Sequence, residues 1–235
     1  MLPFSEPEKL FFLDIETVPQ CAEFSQLSET WQKLWIHKAS TLKLEDPPEI
    51  SYQRAGIYAE FGRIVCVSIG RILFQNNATV LKIRSFLDED ESILLRKLSQ
   101  WLNRNMASGN KLCAHNGKEF DFPWIGRRML INRIPLPHCL QLAGKKPWEV
   151  PHLDTLEMWK FGDYKHYTSL NLLAETFGVK SPKSTMAGNM VAENYWQKNA
   201  LHEIVKYCSE DVKALAELAL IWSGKPAIQD VEIIA

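Results

Sequence analysis

Apolar residues recur along the chain in two rhythms, and the switch between them marks out its elements. Residues 10–17 (LFFLDIET) form a compact apolar run suited to a strand, with two acids near its end. Residues 62–72 and 78–86 predict two more strands joined by a turn at Asn76-Asn77. Residues 111–114 predict a fourth that runs into His115-Asn116-Gly117. Helix rhythm appears over residues 90–105, with Ile93, Leu94, Leu98, Trp101 and Leu102 on one face and acids at the start. Residues 28–38 are amphipathic, and residues 122–132 predict a helix that stops before Pro135. Residues 153–159 and 169–177 predict short helices, and residues 200–222 the longest one. Residues 135–151 form a proline-rich loop carrying Lys145-Lys146, and the partly apolar tail 224–235 either docks on the body or binds something else. Strands followed by helices, with no repeat and no long linker, predict one α/β domain over residues 1–235. Its core spans about residues 10–222: a central mixed β-sheet flanked by α-helices.

Composition narrows the class. Of 235 residues, 46 % are hydrophobic and 23 % charged, which excludes disordered, collagen-like and low-complexity chains. No apolar run reaches the roughly 18 residues of a membrane span, and the N-terminus lacks the basic start of a signal peptide. Five scattered cysteines without a CxxC pair suggest neither a zinc site nor a disulfide framework, so a cytoplasmic location is expected. The formal charge of −1 argues at first against a nucleic-acid partner. Yet residues 61–110 carry 7 basic and 4 acidic side chains, and residues 111–183 carry 11 and 7, between two acidic ends. The small net charge conceals a basic middle.

Three constellations carry candidate chemistry. Asp14 and Glu16, two apart on a strand, share one face. Two adjacent anions resist burial unless a cation joins them, and carboxylates suit a hard divalent ion. The same pair would also serve as a strand end turned to solvent. Asp121 closes Asn116-Gly117-Lys118-Glu119-Phe120-Asp121 at a strand-to-helix junction, either as a further metal-facing acid or as a helix cap. Tyr207 and Asp211 lie one helical turn apart, either over a metal and a water or simply bonded to each other.

Taken in order, D-x-E on the first strand, N-x3-F-D after an internal strand and Y-x3-D on the last helix resemble the three motifs of the DEDDy 3′–5′ exonucleases. These have a ribonuclease H-like (DnaQ-like exonuclease) fold. The phrases FFLDIETVP, FGRIVCVSIG, AHNGKEFDFPWI, HYTSLNLLAETFGV and YCSEDV make the chain similar to the stand-alone subgroup whose domain resembles the exonuclease domain of family B DNA polymerases. The resemblance implies that Asp14, Glu16, Asp121 and Asp211 hold two divalent metal ions, Mg²⁺ or Mn²⁺, and that Tyr207 positions the attacking water. The sister branch has a histidine where this chain has Lys206. Asp154 matches an acid read as structural support. One departure is Lys183-Ser184-Thr185-Met186-Ala187-Gly188, where Thr185 replaces a common aspartate.

The implied activity is hydrolysis of phosphodiester bonds from the 3′ end of a single-stranded nucleic acid, DNA before RNA. Thr17, Asn116, Phe120, Lys145 and Lys146 are the candidate substrate contacts, with Lys165 and Lys183 as further backbone contacts and Trp148 as an aromatic one. No membrane partner is expected. An RNA-directed exonuclease and a silent nucleic-acid-binding module are the alternatives, and a mononucleotide phosphatase lacks supporting features.

Overall fold

A computed structural model describes residues 6–106, 109–163, 167–180 and 190–234. Among these, six strands form one sheet: β1 (Leu10–Pro19), β2 (Gly62–Gln75), β3 (Ala78–Leu87), β4 (Lys111–Ala114), β5 (Leu153–Asp154) and β6 (Asp230–Ile234). Their spatial order is β5-β4-β1-β2-β3-β6. β1, β2 and β3 are an antiparallel meander, whereas β4 runs parallel to β1, β5 parallel to β4 and β6 parallel to β3. The sheet is therefore mixed, as the element order predicts.

The α-helices among the described residues are α1 (Glu29–Thr41), α2 (Pro48–Ser51), α3 (Glu91–Asn105), α4 (Asp121–Ile131), α5 (Thr155–Trp159), α6 (Leu170–Thr176), α7 (Val191–Trp196) and α8 (Leu201–Ser223), and short 3-10 turns join several elements. Strand alternation assigns them to faces. Phe11, Leu13 and Ile15 of β1 pack with Leu94, Leu98 and Leu102 of α3 and with Phe122, Ile125 and Met129 of α4. Leu10 and Phe12 point the other way, onto Val212, Leu215 and Ala219 of α8. Asp14 and Glu16 share the parity of Leu10 and Phe12, so the strand places them on the α8 side. Gly70 of β2 lets α8 approach: a Cβ there would sit 2.6 Å from Cγ1 of Val212.

A buried ion pair joins the opposite layer. Arg128 of α4 donates through Nε to Oε1 of Glu91 at 2.9 Å and through Nη2 to Oε2 at 2.5 Å. Its Nη1 donates to the Ala59 carbonyl at 2.8 Å, while Glu91 also accepts the Ile64 N–H at 2.7 Å and the Asn132 amide at 3.1 Å. Every charge-bearing atom of this pair is satisfied, and α3, α4 and β2 are tied together.

The structure corrects the reading of residues 153–159 as one helix. Leu153 and Asp154 pair with Cys113 and Ala114 as a short strand, and the helix begins only at Thr155. Asp154 is its N-cap, accepting the Leu156 and Glu157 N–H groups at 2.9 and 3.3 Å, so the cap and not the apolar pattern sets the boundary. α7 was not legible, because six residues are too few to show a helical period. The tail docks. β6 extends the sheet beyond β3, helped by Gln229, which exchanges two hydrogen bonds with Thr79.

Candidate active site

Three segments converge where β1 meets α8. The β1–β2 ladder shifts register between Glu16 and Thr17, a bulge placed beside the acidic pair. Tyr207, Cys208 and Asp211 project from α8 toward that end of β1, and all three are buried. The Cys208 thiol donates to the Asp14 carbonyl oxygen at 3.4 Å. A carboxylate oxygen of Asp14, one of Glu16 and the Cys208 sulfur lie within 4.8 Å of one another. Glu16, Asp121 and Asp211 are 7 %, 4 % and 8 % exposed, and among the described residues no ion bridge joins Glu16 or Asp121 to a basic side chain.

Asp121 arrives on a short turn between β4 and α4. Asn116 enters that turn with φ of 61°, a left-handed conformation that asparagine tolerates. Oδ1 of Asp154 accepts the Asn116 N–H at 2.9 Å, and Oδ2 accepts the Lys118 N–H at 3.0 Å. Gly117 lies so close to β4 that a Cβ would fall 2.4 Å from the Ala114 Cβ. The turn thus ends with Asp121 as the first residue of α4, its carboxylate approached by the Ile15 N–H of β1. It does not act as the helix cap, which is Phe120.

Burial and mutual repulsion govern the charge state of this cluster. Desolvation, then the neighbouring Asp211, Glu16 and Asp121 carboxylates, hold Asp14 well above the usual carboxylate range. Desolvation and Asp211 do the same for Glu16. Asp121 is pushed up to about 8, chiefly by burial and by Asp154. Oδ2 of Asp14 is shielded and has no hydrogen-bond partner among the described residues. Repelling, shielded oxygens with an orphaned acceptor among them are the donor set that a hard divalent cation satisfies. These residues fit such an ion.

The Tyr207 hydroxyl is hydrogen-bonded to Asp211, and burial raises the phenol pKa further above its ordinary value. The remaining candidates are dispersed. Thr17 Oγ1 donates to the Gly56 carbonyl at 2.7 Å. Phe120 is half-buried and packs 5.8 Å from Trp124, so much of its ring serves the core and less is offered to a base. Lys145 is exposed on the 135–151 loop, and Lys146 lies 5.3 Å from the ring centre of Trp148, which is 75 % exposed. Lys165, Lys183 and Thr185 lie outside the described residues.

Two residues escaped the sequence reading. His115, at the end of β4, donates through Nε2 to the Thr168 carbonyl at 2.8 Å and accepts from Thr155 Oγ1 at Nδ1, also 2.8 Å. Beside it the exposed ring of Tyr167 stands edge-on, 6.5 Å from the imidazole and within electrostatic reach of Asp121 and Glu119. Both follow from long-range contacts that no spacing encodes.

The RNase_H superfamily model matches residues 54–223, and the chain belongs to that superfamily. Asp121, Tyr207 and Asp211 fall within the matched span, whereas Asp14 and Glu16 precede it. Among solved structures, the family B DNA polymerase from the hyperthermophilic archaeon Pyrobaculum calidifontis is similar, with a TM-score of 0.56 and 16 % identity. The match covers 91 % of this chain and 24 % of the polymerase, so this chain corresponds to about a quarter of it. No curated protein matches the sequence. The fold is ribonuclease H-like, as the motifs imply.

Proposed function

We propose that the chain is a metal-dependent 3′–5′ exonuclease of the DEDDy type, one domain that removes nucleotides from the 3′ end of a single strand. One observation carries this reading: four carboxylates from β1, the α4 start and α8 interact through space, and Tyr207 is bonded to one of them. DNA is favoured over RNA because the similar solved structure is a DNA polymerase.

Asp14, Glu16, Asp121 and Asp211 would hold two divalent ions, Mg²⁺ or Mn²⁺. When bound, such ions lower the pKa of water and stabilise the charge on the departing 3′-oxygen. The protein's own part is positional. β1 and α8 fix Asp14, Glu16 and Asp211 as one rigid unit, while the Asp154-braced turn fixes Asp121. Tyr207 is a poor base, since its phenol resists ionisation. Its hydrogen is spent on Asp211, which leaves the oxygen lone pairs to accept from the attacking water and aim it. Asn116 and Thr17 border the strand's path, and Lys145 and Lys146 with Trp148 contribute charge and a stacking face at its edge.

The test uses 5′-labelled single-stranded DNA and RNA with Mg²⁺, Mn²⁺ or EDTA. A ladder shortened from the 3′ end and abolished by EDTA supports the reading, and the preferred sugar follows from the relative rates. Binding without cleavage in either metal makes the chain a silent nucleic-acid-binding module.

A further inference from the structure

A cavity of about 550 Å³ borders the turn that carries Asp121, yet Asp14, Glu16, Asp121 and Asp211 do not line it. That volume lies within the roughly 300–1,000 Å³ of small-molecule sites. Much of its wall is apolar, from Phe122 and Leu130 of α4, Leu140 and Leu142 of the following loop and Leu156 of α5, while Glu119 and Asp154 add carboxylates on the side of the turn. Arg127, Lys145 and Lys160 line it from three separate segments, and none of the three has an ion-pair partner among the described residues. Lys118 is different, being paired with Glu157 at 2.5 Å. The Asn116 side chain, also at the wall, has no hydrogen bond to a described residue.

Gly126 shows that the space is built in. It sits in the interior of α4, where glycine is a poor helix former, and its backbone is not left-handed. A Cβ at this position would meet nothing within 4 Å. Neither conformation nor packing calls for glycine here. What the missing side chain does is leave the cavity open along the helix.

We infer that this cavity is a nucleotide site, separate from the metal-binding carboxylates: the apolar walls take base and sugar, Arg127, Lys145 and Lys160 take the phosphate, and the Asn116 amide meets the base edge. The choice of a nucleotide over another amphiphilic anion rests on the exonuclease reading. The same chemistry comes from two sources, a nucleotide unit of the bound strand or a released mononucleotide.

The experiment titrates the full chain in EDTA, so that no cation holds phosphate at the carboxylates. Deoxyadenosine 5′-monophosphate, a thymidine tetranucleotide and decanoate are the calorimetric probes, applied to wild type, Gly126→Leu and Arg127→Glu. Gly126→Leu places an apolar side chain in part of the cavity and is expected to weaken nucleotide binding about tenfold or more, with a thermal midpoint no lower than wild type. Arg127→Glu weakens it too. Tighter binding of the tetranucleotide assigns the site to the strand, and equal binding of the monophosphate assigns it to the released product. Nucleotide titrations unchanged by Gly126→Leu, or binding of decanoate alone, overturn the proposal. Cleavage in Mg²⁺ is scored separately on wild type. Cleavage without Gly126-sensitive binding removes the nucleotide site and leaves the exonuclease reading standing, and the reverse outcome does the opposite.

Discussion

Asp154 accepts the Asn116 N–H at 2.9 Å and the Lys118 N–H at 3.0 Å, so one carboxylate holds the whole turn that delivers Asp121. It also caps α5, so its four backbone partners come from both sides of the β4–β5 edge. Asp154→Ala leaves these N–H groups unmet and is expected to cost about 1–3 kcal/mol of stability. Activity should fall with it, because Asp121 loses its fixed position. Thermal unfolding and kcat/KM on a labelled strand check both, and a variant of wild-type activity would show that the turn holds itself.

Arg128 and Glu91 form the buried pair behind the sheet. Removing the guanidinium strands a carboxylate that is 6 % exposed, so Arg128→Ala should destabilise by about 3–5 kcal/mol. The double variant with Glu91→Ala should lose less than the sum of the two single variants, because neither partner is then left alone. Denaturant titration of the four proteins measures the coupling.

Asp121 makes stability depend on pH. In the metal-free chain its folded pKa is pushed up to about 8, above the ordinary value of about 3.9 for the unfolded chain. Its favourable contribution is therefore complete below about pH 4 and is lost as pH rises through about 8. Asp121→Asn has no proton to lose. In EDTA this variant should gain on wild type in thermal midpoint between pH 5 and pH 8. Parallel pH profiles for the two proteins would contradict the repulsion described at the site. Mg²⁺ should raise the wild-type midpoint at pH 8 more than that of the variant.

Tyr207 is bonded to Asp211 but holds no charge of its own. Tyr207→Phe should lower kcat by about 100-fold, the lower end for a lost acid–base group, with Mg²⁺ affinity retained. Calorimetric metal titration separates the two effects. A loss of metal binding as large as that of Asp14→Ala would place the phenol in the ion site itself.

Much of this was legible from residues alone. The alternation through 10–17 set Asp14 and Glu16 on one face, and the period of 200–222 set Tyr207 and Asp211 on another. Only the pairing of β1 with β2 and the approach of α8 over Gly70 bring the two together. Local pattern failed where long-range bonds decide. Leu153 and Asp154 read as helix because their strand character comes from Cys113 and Ala114 on a neighbouring strand. The tail stayed undecided because its partner, β3, lies about 150 residues away, as the Thr79–Gln229 separation of 150 shows. The cavity beside Gly126 was invisible, since a helix interior glycine signals nothing until its surroundings are known.

The four carboxylates are proposed to work as one nuclease site. The most direct test is 3′-end shortening of a 5′-labelled single strand by wild type and by Asp14→Ala, in Mg²⁺ and in EDTA. Wild type in Mg²⁺ should give a ladder, and the other three conditions none. An unchanged ladder from Asp14→Ala, or one that persists in EDTA, would contradict it.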